Sequence, residues 1–247
     1  SDLKWLRFIW DEARSKAKDE GFTLPEFDKF WKNGFQEVLS PKKQTILLED
    51  FRKDPQKNPI STPSGKIEIF SETVDSFNYQ DCPGHPTWLE QKEWLGSNLT
   101  KQYPLQLISG QPHNRLHSQL DNGSESQNYK ILGREPIKIH LQDAQSRGLI
   151  NGDIVEVFNK RGKCLAGVII SNEVMKGVVF LAVGAWYDPI NDGDFCIHGN
   201  PNVLTEDIGT SSLAQGPSAH STLVEIKKYT KELPEINILH KPSIVNK

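Results

Sequence analysis

Residues 136–184 read PIKIHLQDAQSRGLINGDIVEVFNKRGKCLAGVIISNEVMKGVVFLAVG, and the punctuation of that stretch decides the fold. PIKIH (136–140) has the β-branched alternation of a strand. QDAQSRG (142–148) is one or two helical turns stopped by Gly148. Asn151-Gly152 turns the chain into a second strand, DIVEVFN (153–159). Arg161-Gly162 makes a hairpin turn into KCLAGVII (163–170). Lys176-Gly177 then leads into VVFLAVG (178–184). Several short strands with glycine turns and a single short helix predict a β-barrel.

Working outward, YPLQLIS (103–109) and STLVEIKKY (221–229) add two more strands. The fold class is therefore mainly β with short helices, and residues 101–247 read as one barrel domain with a C-terminal tail. Residues 1–100 differ in character. LKWLRFIWDEARSKAKD (3–19) places Trp5, Leu6, Ile9, Trp10 and Ala13 at helical spacing. Pro25 opens a second short helix, PEFDKFWKN, where an N1 proline is well tolerated. Four prolines between 41 and 63 make a loop-rich stretch. KIEIFSE (66–72) alternates like a strand, and 78–98 is again irregular. This segment looks like the tail of a preceding domain rather than a domain of its own.

Composition narrows the functional classes. The chain has 247 residues, 36% hydrophobic and 25% charged, with a net charge of −3 and no basic block. Nucleic acid is thus a poor partner. No apolar run reaches the length of a membrane span. SDLKWLRFIW shows no basic stretch followed by a small-residue cleavage site, so no signal peptide is expected in this sequence. Cys82, Cys164 and Cys196 are odd in number and far apart, which argues against a disulfide framework. Cys196 and His198 lack a second close pair of ligands, so no metal is expected there.

Two stretches carry hydrogen-bonding chemistry beyond what strand connections need. In ISGQPHNRLHSQLDNGS (108–124), seven polar or cationic side chains fall between Gln111 and Gln119. Gly110 lets a ligand approach the backbone closely at a strand end. If 115–119 is extended, Arg115 and His117 share one face by the period of two. HGNPNVLTEDIGTSSLAQGPSAH (198–220) is too polar and glycine-rich for a core strand. Within it Thr205, Asp207, Thr210 and Ser211 suit turns and caps bonded to their own backbone. Trp186-Tyr187-Asp188-Pro189 reads either as the border of a substrate funnel or as an aromatic pair packed at a strand end.

REPIKIHLQDAQSRGLINGDIVEVFNKRGKCLAGVIISNEVMKGVVFLAVGAWYDP (134–189), RLHSQL (115–120), HGNPNVLTEDIGTSSLAQG (198–216) and TPSGKIEIFSE (62–72) together resemble one family. It is the dimethyl sulfoxide reductase family of molybdopterin oxidoreductases, with biotin sulfoxide reductase and trimethylamine N-oxide reductase as the nearest group. The resemblance implies a double-psi β-barrel that caps the cofactor, preceded by a helical and irregular N-terminal segment. It implies a molybdenum ion between two molybdopterin guanine dinucleotides in the full-length enzyme. The family's serine metal ligand lies in a part of the polypeptide that no stretch here resembles. The chain is accordingly expected to be a C-terminal part without turnover of its own, holding no catalytic or metal-ligating residue.

The same resemblance sets Ser109, Gly110, Gln111, Pro112 and His117 against the cofactor. Where several relatives have His, this chain has Gln111, which stays neutral at all pH. The chemistry of a pterin or guanine edge adds Arg115, Ser118, Asn202, Gln215 and His220 as binding candidates, because such an edge needs fixed donors and acceptors in one plane. The implied activity is oxygen-atom transfer from an S-oxide or N-oxide: biotin sulfoxide, methionine sulfoxide or trimethylamine N-oxide. The implied partners are an electron donor such as a c-type cytochrome and the rest of the same polypeptide. The implied compartment is the periplasm, with the cytoplasm as the alternative. The competing function is a free-standing double-psi barrel used for protein interaction, which leaves the 198–216 block and the first hundred residues unexplained.

Overall fold

The computed structural model describes residues 2–38, 45–190 and 195–241. It comprises two compact units, Ser1–Glu68 and Ile69–Lys247.

In the first unit the helical period is realised as α1 (Asp2–Asp19), followed by α2 (Phe27–Asn33) and α3 (Glu49–Lys53). The Trp10 and Phe30 rings stack with centroids 3.7 Å apart, and Phe27 is buried. Arg14 and Glu26 add an ion pair of 2.5 Å between the two helices. Helix α2 stops at Gly34, whose φ of 79° is the left-handed conformation that glycine adopts without strain.

The strand expected at KIEIFSE (66–72) is absent. Ile67 and Ile69 stay 67% and 79% exposed, and the chain enters α4 (Glu72–Asp75) instead. Ser71 caps that helix through its hydroxyl, which accepts from the Val74 N–H at 3.3 Å. Alternation supplies the faces of a strand, but a strand also needs a neighbour for its backbone groups, and no described strand lies beside this one.

In the second unit all six strands read from the barrel region are present. They are β1 (Leu105–Ile108), β2 (Pro136–Ile139), β3 (Ile154–Phe158), β4 (Lys163–Ile170), β5 (Val178–Leu181) and, last in the chain, β8 (Leu223–Lys228). Two short strands, β6 (Pro189–Ile190) and β7 (Phe195–Cys196), extend the sheet beyond β4. The hydrogen-bonded order is β2-β5-β1-β8-β3-β4, and a further pairing of β2 with β4 closes the ring. The β1–β5 and β2–β4 pairs are parallel; the other four barrel pairs are antiparallel. This closed six-stranded arrangement is a double-psi β-barrel.

Alternate residues fill its interior. Leu105, Leu107, Ile137, Ile139, Val155, Val157, Val168, Val179, Leu181, Val224 and Ile226 form one cluster and are almost wholly buried. A small barrel packed with side chains leaves no room for a ligand inside. Binding chemistry is therefore confined to the loops at the strand ends. Two short helices occupy such connections, α5 (Ser124–Tyr129) and α6 (Leu141–Gln145). His140 caps α6, its Nδ1 accepting from the Gln142 N–H.

Candidate functional site

The loop leaving β1 begins at Ser109 and Gly110. A Cβ at position 110 would lie 2.8 Å from the Phe180 ring on β5, so any larger residue there would have to displace that ring. The Ser109 N–H donates to Nδ1 of His220 at 3.3 Å, which brings one candidate from each polar stretch together. Gln111, Pro112, His113 and Asn114 line one side of a cavity of ≈380 Å³; Phe180, Ala182, Lys138 and Tyr129 stand across it. Nδ2 and Oδ1 of Asn114 are shielded from water and unpartnered among the described residues, as are the hydroxyls of Ser109 and Thr222. Unmet polar groups of this kind are costly and suit a ligand edge that supplies partners.

Residues 115–119 are not extended. The chain makes a tight turn closed by a bridge between Leu116 and Gln119, with His117 at φ 50°. Arg115 and His117 consequently do not share a face. The Arg115 side chain has no exposure to solvent. Its Nε donates to the His117 carbonyl at 3.2 Å, Nη1 to Ser126 Oγ and Glu135 Oε2, and Nη2 to the Val183 carbonyl at 2.7 Å. Glu135 Oε1 lies 3.0 Å from Nη2 as an ion pair, off the axis of any N–H. His117 projects outward, and its Nδ1 meets the Gln111 amide nitrogen at 2.9 Å. Ser118 offers its carbonyl to the Trp186 indole N–H at 2.7 Å. That bond anchors Trp186 beside the turn.

Around Arg115 lies a polar network that local sequence did not announce. Lys130 Nζ sits 2.9 Å from Asp121 Oδ1 and 2.8 Å from Glu135 Oε2, all with side chains fully out of solvent. Asp121 Oδ2 also accepts from the Trp186 N–H at 2.8 Å. Burial alone would push the Asp121 carboxyl up. The bonds from Lys130 and the Trp186 N–H outweigh it and hold the group below the usual aspartate range. His198 Nδ1 donates to the Trp186 carbonyl at 3.0 Å. Burial, then the nearby Lys130 charge, lower its pKa, so His198 is a neutral internal prop. With one Arg, one Lys, one Asp and one Glu, the cluster has no surplus positive charge to offer a phosphate.

The second polar stretch is arranged differently. Asn200 Oδ1 accepts from the Asn202 N–H at 2.9 Å across a 3-10 turn, and the Asn202 side chain is exposed. Gln215 donates its amide to the Ser211 carbonyl, 3.0 Å away. Thr205, Thr210 and Ser211 bond their own neighbourhood's backbone, as turn and cap residues do. His220 lines a cavity of ≈700 Å³ with Glu90, Glu93 and Glu206. Lys92 lines it as well, so its carboxylates only partly disfavour a pyrophosphate. Of these, Glu93 is held in a bidentate pair with Arg161 (2.6 and 2.9 Å) and accepts from the Leu223 N–H.

The structure thus gathers Ser109, Gly110, Gln111, Pro112, His117 and His220 near the end of β1, and keeps the Arg115 guanidinium inside. Asn202 and Gln215 lie in a separate segment. Sequence reading missed Asn114 as an unmet amide and missed Asp121, Lys130 and Glu135 altogether. Among the described residues no group of three His, Cys, Asp or Glu could hold a metal ion.

Comparison with known proteins bears on this arrangement. Residues 105–223 match the family described as "Molydopterin dinucleotide binding domain". Over 252 residues the chain is 43% identical to "Trimethylamine-N-oxide reductase" of Haemophilus influenzae, covering 99% of this chain and 30% of that protein. It is 46% identical to "Trimethylamine-N-oxide reductase 1" of Escherichia coli strain K12, covering 95% and 28%. It is 41% identical to "Dimethyl sulfoxide/trimethylamine N-oxide reductase" of Rhodobacter capsulatus, covering 93% and 28%. The chain spans roughly 30% of the length of these curated relatives. Among solved structures, "Acetylene Hydratase from Pelobacter acetylenicus" superposes with a TM-score of 0.58 over 83% of this chain and 28% of that chain. At 19% identity, that likeness speaks to the fold alone.

Proposed function

We propose that this chain, which matches a molydopterin dinucleotide binding domain over 105–223 and trimethylamine-N-oxide reductases over nearly its whole length, is the C-terminal, cofactor-capping part of a molybdenum-dependent N-oxide or S-oxide reductase of the dimethyl sulfoxide reductase family, with trimethylamine N-oxide the favoured substrate. The observation that carries the proposal is the match of 105–223 to a dinucleotide-binding domain, on a barrel whose β1 loop leaves unmet polar groups beside a cavity. The cofactor expected in the full-length protein is molybdenum held by molybdopterin guanine dinucleotide, which supplies two-electron oxygen-atom transfer when bound.

The residues present fit such a group. Ser109, Gly110 and Pro112 would offer backbone groups to a heterocycle edge. Gln111, His117 and His220 supply directional donors and acceptors. Asn114 brings an amide that lacks a partner. The barrel's packed interior would leave the ligand on its outside, with one side covered by these loops. The cavity lined by Glu90 and Glu206, with Lys92 beside them and Glu93 paired to Arg161, suits a neutral or cationic molecule better than phosphate. A c-type cytochrome or another reductant is the proposed electron donor, and the periplasm the proposed compartment.

The test is to express the whole reading frame that contains this sequence in a host able to make the cofactor. Molybdenum and guanine contents are measured, then dye-linked reduction of trimethylamine N-oxide, dimethyl sulfoxide, methionine sulfoxide and biotin sulfoxide. Bound guanine with molybdenum, and turnover fastest on the N-oxide, support the reading. Protein free of both after expression with excess molybdate overturns it.

A further inference from the structure

Loop 109–119 carries two exposed imidazoles, His113 and His117, and of these His117 is fixed by its surroundings. His117 has φ 50°, a conformation unfavourable for a residue with a Cβ, and such a residue persists only where its surroundings over-determine it. Three contacts do so. Arg115 Nε donates to the His117 carbonyl. Gly184, at φ 93°, leaves room for that same carbonyl, which would lie 1.9 Å from any Cβ there. The Trp186 indole holds the next carbonyl, that of Ser118. Arg115 is itself immobilised by Glu135 and the Val183 carbonyl, and its charge is balanced inside the cluster. A guanidinium so committed, and wholly out of solvent, presents no donor to an external anion.

The ring then has one partner. Gln111 Nε2 lies 2.9 Å from His117 Nδ1. With its amide nitrogen turned to the ring Gln111 donates, so Nδ1 accepts and the neutral ring carries its proton on Nε2. Nε2 has no partner among the described residues. Histidine in place of Gln111 could be donor or acceptor; glutamine with its amide nitrogen inward allows one role.

We propose that Gln111 and Arg115 are positioning residues that hold His117 in one orientation and one tautomer, presenting its Nε2–H to an acceptor oxygen, a carbonyl or phosphate, on the bound dinucleotide. The identity of that acceptor rests on the function proposed above; the orientation and tautomer do not. Arg115 acts through the backbone of His117 rather than by touching the ligand. Its candidacy as a direct cofactor ligand is replaced by this role.

The experiment uses the chain as it stands, with no cofactor, so its failure is distinct from failure of the functional reading. Imidazole ¹⁵N shifts of His117 are recorded with the ring neutral. The expected result is a single Nε2–H tautomer in the wild type and a mixture in Gln111→Leu. Gln111 is exposed, so this variant should fold normally. A wild-type ring protonated on Nδ1, or a tautomer that Gln111→Leu leaves unchanged, overturns the assignment. For Arg115 the variant is Arg115→Lys, which keeps a cation for Glu135 but cannot also bridge to the carbonyls of His117 and Val183. Amide exchange at 116–119 should rise at least about tenfold relative to β3, the scale of one lost hydrogen bond from a charged donor. A smaller rise, or one shared equally by β3, refutes the positioning role. If Arg115→Lys does not fold, the tautomer measurement still decides the proposal.

Discussion

Replacing Gly184 with alanine tests whether the turn carrying His117 is held by close backbone approach. The added Cβ would sit 1.9 Å from the His117 carbonyl oxygen and 2.4 Å from its carbon. Ordinary contact needs at least about 3 Å, so the turn must retreat by roughly 1.1 Å. Two bonds cannot survive that displacement: Arg115 Nε to the His117 carbonyl, already 3.2 Å, and the Trp186 indole to the Ser118 carbonyl at 2.7 Å. Their loss costs about 2–4 kcal/mol, since one donor is charged. Placing alanine at φ 93° adds about 1–2 kcal/mol. The expected destabilisation is therefore about 3–6 kcal/mol. Gly148→Ala is the control. It shares the positive φ, at 62°, but nothing lies within 4 Å of its Cβ, so only the backbone term applies. Urea unfolding of both variants, fitted by linear extrapolation, gives the comparison, and amide exchange at 115–119 locates the damage. Equal midpoints for the two variants, with unchanged exchange in the turn, would refute the idea that Gly184 and the turn are locked together.

Other perturbations address the rest of the molecule. Burial pushes the Glu93 carboxyl up, but the Arg161 pair and the Leu223 N–H outweigh it, so its folded pKa lies below the unfolded value of about 4.3. Its stabilisation is present above that value and lost as pH falls through the folded pKa. Stability measured by urea between pH 2 and 6 (about this range) should consequently decline less steeply in Glu93→Gln than in the wild type; parallel profiles would count against the pair. Leu107 is wholly buried, so Leu107→Ala should cost about 2–5 kcal/mol, whereas Leu116→Ala at an exposed turn should change stability by less than about 0.5 kcal/mol. Comparable losses would show that the barrel core is misplaced. Thiol titration of the native protein should find Cys82 reacting first. Cys164 and Cys196 are buried, and burial, with Cys196 and Glu156 nearby, pushes the Cys164 thiol well up. Equal labelling of all three in native buffer would contradict the packing of β4 on β7.

The sequence alone determined the six barrel strands, because each is a short run rich in β-branched and aliphatic residues, several of them bounded by glycine turns, and that information is local. It determined helix α1, through the 3.6-residue period, and the presence of α2, although α2 starts at Phe27 behind the N-cap Glu26 and Pro25 lies outside it rather than at its first position. It also marked the loop after β1 as chemically loaded, since Gly110, Gln111 and His117 lie within a few residues of one another. The order of strands around the barrel was decided only by tertiary structure. It rests on parallel pairs such as Ile137 with Val168 and Leu107 with Val179, whose partners lie far apart in the chain. The fate of KIEIFSE was also decided there, because an alternating segment becomes a strand only when another strand meets its backbone. So was the role of Arg115. Its neighbours in sequence suggested a cation for a ligand, but Glu135 and the Val183 carbonyl, brought in from 20 and 68 residues away, claim its donors. A buried charge is defined by the partners that compensate its desolvation, and those partners are gathered by the fold, not by the local pattern.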